Sequence, residues 1–139
     1  MYRRRSWRRI QKSRHQILDL LNHCEPGPLL DVGCSLGYTL LAARELGLPA
    51  TGVDVASSVV DHCRGQGFRA EVGTLEHLPF EDGEFGLIVL KHVLEHTPRP
   101  KLAIGELRRV LRPGGGIFVA VPYGGNRKAR TDPQNHKFF

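Results

Sequence analysis

Two short segments hold residue types at spacings that can do chemistry. The first is Asp31-Val32-Gly33-Cys34-Ser35-Leu36-Gly37, a glycine-bearing turn with an acid just ahead of its first glycine. Glycine lets backbone approach a ligand closely and lets a chain turn sharply from a strand into a helix. The turn has no lysine of the phosphate-cradling kind, which disfavours a nucleoside triphosphate, whereas Asp31 suits a ligand with a cationic end. The second segment, Ala50-Thr51-Gly52-Val53-Asp54, ends in an acid. An acid at the tip of a neighbouring strand can accept both hydrogen bonds from a ribose diol. Either feature alone has a plainer reading, a tight turn or a solvated strand end. Together they point to a nucleoside that also carries positive charge. A nicotinamide fingerprint spaces three glycines as G-x-G-x-x-G, and the spacing here is Gly33-x-x-x-Gly37, which argues against that cofactor.

The surrounding periodicity supplies the elements that must position these residues. Apolar residues at helical spacing (Trp7, Ile10, Ile17, Leu18, Leu21) predict an amphipathic helix over 6–22, ended by Glu25-Pro26-Gly27-Pro28. Short apolar runs predict strands over 29–33, 50–54, 87–90 and 117–121, and a weaker alternation predicts a third strand over 69–72, with helices over 36–47, from 57 to 63 and over 100–111. Arg112-Pro113-Gly114-Gly115-Gly116 reads as a turn that breaks the last helix. Continuous apolar strands alternating with amphipathic helices predict an α/β fold, a Rossmann-like doubly wound parallel sheet in the order 3-2-1-4-5 with helices on both faces. In such a sheet the ligand lies beyond the carboxyl ends of the strands, so the loops 33–37, 54–57, 73–80, 91–99 and 122 onward carry function.

Composition bounds the rest. The 139 residues are 40% hydrophobic and 24% charged, which suits a single domain with its own core. Three cysteines, Cys24, Cys34 and Cys63, show no C-x-x-C spacing; neither a disulfide framework nor a metal site is expected. No apolar run reaches the roughly 18 residues of a membrane span, and nothing near Met1 reads as a secretory signal, so a cytoplasmic protein is expected. The net charge of +6 is concentrated at the ends: seven basic residues and no acid lie in 1–14, and 15–123 holds 9 basic against 13 acidic. Basic arms of this kind serve nucleic-acid binding, anionic-substrate attraction or solvation of a helix face; nucleic acid is the less favoured partner.

Five motifs in order resemble a known family: Leu30-Asp31-Val32-Gly33-Cys34-Ser35-Leu36-Gly37, Gly52-Val53-Asp54, Leu78-Pro79-Phe80, Val93-Leu94-Glu95-His96, and Arg109-Val110-Leu111-Arg112-Pro113-Gly114-Gly115. They are similar to those of the class I S-adenosylmethionine-dependent methyltransferases, in the branch (domain types 11 and 23) that acts on small molecules. The resemblance implies S-adenosyl-L-methionine as cofactor, S-adenosyl-L-homocysteine as product and a small-molecule methyl acceptor. It implies that Asp31, Gly33, Cys34, Ser35 and Gly37 surround the methionine part, that Asp54 holds the ribose and that Val55 lines the adenine slot. Thr74, Leu75 and Glu76 would flank the adenine, and Lys91 and His92 would face the sulfonium. His96 is the candidate catalytic base, with His92 and His136 behind it. The chain departs from the family at Ser35 and Gly86, where glycine and aspartate are usual, and at Thr74, where aspartate is common. Gly86 is expected to loosen the fourth strand.

The resemblance also implies a division into an N-terminal basic helix (1–25), a cofactor-binding core (28–122) and a C-terminal segment (123–139) within one domain. The family's sheet continues with two further strands that are not expected here. The fifth strand would then present a bare edge suited to self-association. Trp7 and its neighbouring arginines could cover the cleft, and Tyr123 could face the acceptor. The alternative reading is a shortened protein that binds the cofactor without turnover.

Overall fold

Leu29–Val32 forms a strand whose four residues are all buried, and a strand covered on both faces belongs inside a parallel sheet. In the computed structural model, which describes residues 2–120 and 136–138, this strand (β1) is central. Along the chain follow α1 (Tyr2–Leu21), β1, α2 (Tyr38–Glu45), β2 (Ala50–Asp54), α3 (Ser57–Gly65) and β3 (Arg69–Val72). Then come β4 (Phe85–Lys91), a 3-10 turn (Leu94–His96), α4 (Pro100–Val110), β5 (Leu111–Ala120) and β6 (His136–Phe138). The described strands are ordered β3-β2-β1-β4-β5-β6, and β1 to β5 are parallel, as expected.

Strand alternation sorts the core into layers. Leu29 of β1, Leu87 and Val89 of β4 and Phe118 of β5 pack against Ile17 and Leu20 of α1 and Ala42 and Ala43 of α2. Leu30, Val32, Ile88, Leu90 and Val119 face the other way, onto Ala103, Leu107 and Val110 of α4. Cys34, Leu40, Val60, Cys63 and Phe68 close a third cluster around α3. Asp31 and Lys91 share the parity of Leu29 and Leu87, so both lie on the face covered by α1. No helix among the described residues is long and apolar enough to cross a membrane.

Two expectations are corrected. The expected bare edge of β5 is paired over Phe118–Ala120 by β6, which runs antiparallel to it. The glycine run is not a separate turn: β5 begins at Leu111, opposite Phe85, and pairing resumes at Gly116 opposite Leu87, so the intervening residues bulge out of the ladder. Gly86 falls where the β4–β5 ladder slips register between Phe85 and Leu87, and it sits where backbones touch. A Cβ added there would stand 3.2 Å from Gly27 Cα, and Gly86 N–H donates to Pro28 O at 2.9 Å. Val121 and Tyr123 lie outside the described residues.

Arg109 explains why two separated motifs occur together. From α4 its Nη1 donates to Phe80 O (2.7 Å) and Asp82 Oδ1 (2.9 Å), its Nη2 to Leu78 O (3.0 Å) and its Nε to Glu106 Oε2 (2.7 Å). The planar guanidinium fork thus ties the Leu78-Pro79-Phe80 loop to α4, a geometry lysine cannot reproduce. Arg109→Ala is expected to lower stability by about 1–3 kcal/mol, with Arg109→Lys restoring little of it. Urea unfolding of the variants measures this, and an unchanged midpoint for Arg109→Ala would contradict it.

Candidate functional site

β1 lies between β2 and β4: the chain runs outward through β2 and β3 and then crosses back to β4 on the other side of β1, and the crevice at that reversal is the expected ligand site. Gly33 opens the turn after β1 with φ +75°. Its N–H donates to Val53 O at 2.8 Å, and a Cβ added there would stand 2.7 Å from Val93 Cγ2. Glycine at this position is what lets the loops after β1 and β4 lie against each other. Asp54 closes the third side. Its Oδ2 accepts from Ser35 N–H (3.3 Å) and its Oδ1 from Ala56 N–H (3.1 Å). Each carboxylate oxygen thus holds one backbone donor and keeps lone pairs for further donors.

Two cavities open from this junction and share Gly33 and His92. The larger, about 450 Å³, is lined by Asp31, Ser35 and Lys91 and, from α1, by Ser13 and Gln16. The smaller, about 190 Å³, is lined by Asp54, Val55, Leu75, Val93 and His96. One end of the cleft is therefore charged and buried, and the other is an apolar slot beside a carboxylate.

Asp31 is 4% exposed. Burial pushes its carboxyl up to about 7, partly offset by the Lys91 ammonium and reinforced by the Asp54 charge. Burial likewise pushes Lys91 down, against the pull of Asp31, with Lys12 adding repulsion. Lys91 Nζ donates to Ser13 Oγ (2.8 Å) and Thr39 Oγ1 (3.1 Å), so α1 and α2 together hold the cation beside β1.

The sequence-derived candidates distribute unevenly. Asp31, Gly33, Cys34, Ser35, Lys91 and His92 line the larger cavity. Asp54, Val55, Leu75 and His96 line the smaller one. Cys34 contributes backbone only in part, since its buried thiol lies 3.7 Å from Cys63 Sγ in the core. Gly37, Thr74 and Glu76 are not among the lining residues. Gly37 packs toward α3, near Gln66 and Cys63. Thr74 lies exposed on a tight turn bridged to His77. Glu76 keeps one buried carboxylate oxygen, Oε1, without a hydrogen-bond partner. Of the expected cover, Trp7 is exposed and does not line the cleft. The polar stripe Arg9, Lys12, Ser13 and Gln16 lines it instead. That stripe was open to detection, because polar residues at i, i+3, i+4 and i+7 mark one helix face as surely as apolar ones.

Residues 30–119 match the family model for the methyltransferase domain. The chain belongs to this family. This methyltransferase domain is 32% identical over 100 residues to a ubiquinone biosynthesis O-methyltransferase of Xanthomonas oryzae pv. oryzae, covering 67% of this chain and 42% of that protein. It is 30% identical over 113 residues to a "Probable S-adenosylmethionine-dependent methyltransferase" of Mycolicibacterium smegmatis, covering 78% of this chain and 44% of that one. The chain thus spans less than half the length of these relatives. Among solved structures, the YcgJ protein of Bacillus subtilis shares the fold at 24% identity and a TM-score of 0.71, over 86% of this chain and 54% of that one.

Asp31 gives this methyltransferase domain one pH-dependent contribution to its stability. The folded carboxyl holds its proton more tightly than the unfolded one, so its ionisation opposes folding. That penalty is absent below about pH 4, grows toward pH 7 and is complete above it. Asp31→Asn is therefore expected to gain stability relative to the wild type as pH rises from 5 to 8. Unfolding midpoints at both values check this, and parallel profiles for the two proteins would contradict it.

Proposed function

We propose that this domain binds S-adenosyl-L-methionine along the two joined cavities and transfers its methyl group to a small-molecule acceptor. The observation that carries the reading is the Asp54–Ser35 hydrogen bond, which brings the acid at the tip of β2 against the turn after β1. The donor set suits the cofactor. A buried carboxyl at Asp31 complements an ammonium, the free lone pairs of Asp54 complement a diol, and Val55, 70% exposed beside buried Leu75, offers an apolar face to a planar base. When bound, the cofactor supplies an electrophilic methyl on sulfonium, and the acceptor displaces the sulfur directly.

The chain's own residues then do three things. Asp31, with Lys91 beside it, takes up the ionised form when an ammonium arrives. Gly33 and Ser35 offer backbone at close range to the methionine part. Leu75 and Val93 exclude water from the adenine side. Where the acceptor is a hydroxyl or amine, a base removes its proton. His92 stands where the two cavities meet, and His96, its side chain 78% exposed and its Nε2 3.5 Å from Glu95 Oε1, stands on the smaller one. We assign the base to His96 with His92 as its neighbour.

S-adenosyl-L-homocysteine at millimolar concentration is expected to raise the melting temperature; no shift would count against the reading. Asp54→Ala is expected to weaken that binding by about 1.5–3 kcal/mol, the scale of lost charge-assisted hydrogen bonds, and unchanged affinity in calorimetry would remove Asp54 from the site. His96→Ala is expected to lower kcat while leaving cofactor affinity within about twofold. An equal loss in both would make His96 a cofactor-side residue.

A further inference from the structure

Giving up a methyl group changes the charge of S-adenosyl-L-methionine. The donor carries a sulfonium, and S-adenosyl-L-homocysteine carries a neutral thioether in its place. Ammonium, carboxylate, ribose and adenine are common to both. A fixed charge near the sulfur therefore separates donor from product where other contacts treat them alike.

Lys91 supplies such a charge. It closes β4 and lines the larger cavity together with Asp31 and Gly33. Its Nζ donates to Ser13 Oγ at 2.8 Å and to Thr39 Oγ1 at 3.1 Å, and both of these buried hydroxyls are uncharged. Among the described residues, no carboxylate pairs with Lys91 at salt-bridge distance. Asp31 attracts it from farther off, and that carboxyl faces a second cation once the cofactor's ammonium arrives. Arg9 and Lys12 line the same cavity but are exposed, so water and salt screen their charges. Lys91 is half-buried and held by two hydroxyls, so its field reaches the cavity with less screening.

We infer that Lys91 sets the preference between the two forms of the cofactor, its ammonium repelling the sulfonium of the donor and sparing the thioether of the product. The inference rests on the reading that the cofactor lies along the two joined cavities. In that placement the ribose and adenine fill the smaller cavity beside Asp54, and the amino-acid end fills the larger one beside Asp31. The sulfur links these two parts, so it lies at the junction that the cavities share, at Gly33 and His92. Lys91 is the residue before His92 and stands on the larger side of that junction. During transfer the methyl–sulfur bond breaks with its electron pair left on sulfur, while a lone pair of the acceptor bonds the methyl carbon. The positive charge thus moves from sulfur to the acceptor, whose proton passes to the base. Repulsion from Lys91 is full in the bound donor, partial in the transition state and gone in the product. The same interaction that weakens donor binding therefore lowers the barrier to transfer.

The test is calorimetry of both ligands on the full chain, in the wild type and in K91M, K91Q and K91R. Because the ligands share one ammonium, any influence of Lys91 on Asp31 cancels in the ratio of their affinities. The wild type is expected to bind S-adenosyl-L-homocysteine at least about fivefold more tightly than S-adenosyl-L-methionine, the scale of one partly screened repulsion between like charges. In K91M and K91Q that ratio should fall to within twofold, through tighter binding of S-adenosyl-L-methionine. K91R keeps the charge and should keep the ratio. K91Q retains a donor for Ser13 and Thr39, so it reads the charge even where K91M fails to fold. A neutral variant that loses affinity for both ligands equally, leaving the ratio unchanged, would make Lys91 merely structural and overturn the inference. A wild type that binds the two ligands equally would overturn it as well. Binding of neither ligand to the wild type would instead sink the cofactor reading on which the inference stands.

Discussion

One electrostatic arrangement organises this domain: a carboxyl buried at the end of the central strand, beside an ammonium that two helices hold in place. Asp31 is the polar residue of a strand otherwise made of Leu29, Leu30 and Val32, all buried. A lone carboxylate there would be strongly disfavoured, and Lys91 at the end of β4 offsets part of that cost. Lys91 is itself half-buried and relies on Ser13 of α1 and Thr39 of α2 for its hydrogen bonds. β1, β4, α1 and α2 are therefore joined at one charged point, and the cavity forms around it.

Around that point the loops are fixed by contacts that leave little freedom. Gly33 permits the loop after β4 to approach through Val93. Asp54 fastens the turn after β1 to the tip of β2. Arg109, from the opposite face of the sheet, fastens the loop following β3 by two carbonyls and a carboxylate. These are interactions of backbone with charged side chains, so the cleft is positioned by hydrogen bonding while the core beneath it is positioned by packing.

Much of this was legible in the residues alone. The strands at 29–32 and 87–90 are legible as short apolar runs, because a parallel sheet buried on both faces leaves a continuous apolar signature, whereas Arg69–Val72 at the sheet's edge carries only a weak pattern. Asp31, Gly33 and Asp54 were legible because a strand-end acid after a glycine turn is a local pattern. What escaped is non-local. The contact of Gly86 with Gly27 is a meeting of backbones 59 residues apart, and no side-chain pattern announces it. The pairing of β5 with His136–Phe138 depends on a return of the chain that three residues cannot signal. The Lys91–Ser13–Thr39 cluster is tertiary in the same way, and α1 read as amphipathic concealed that its polar face points partly into a cavity. Thr74 and Glu76 were placed near the adenine by position in a motif; they alternate with Gly73 and Leu75, which line the smaller cavity, on a turn bridged from Thr74 to His77.

The claim at the centre is that the Asp31 carboxyl exchanges a proton for the cofactor's ammonium. Calorimetry of S-adenosyl-L-homocysteine binding in buffers of different ionisation enthalpy reads this directly. Near pH 7 a fraction of a proton should leave the protein for each ligand bound, falling toward zero as pH rises well above 7, and the release should vanish in Asp31→Asn. Binding with no proton exchange at pH 7, or with the same release from Asp31→Asn, would contradict the account.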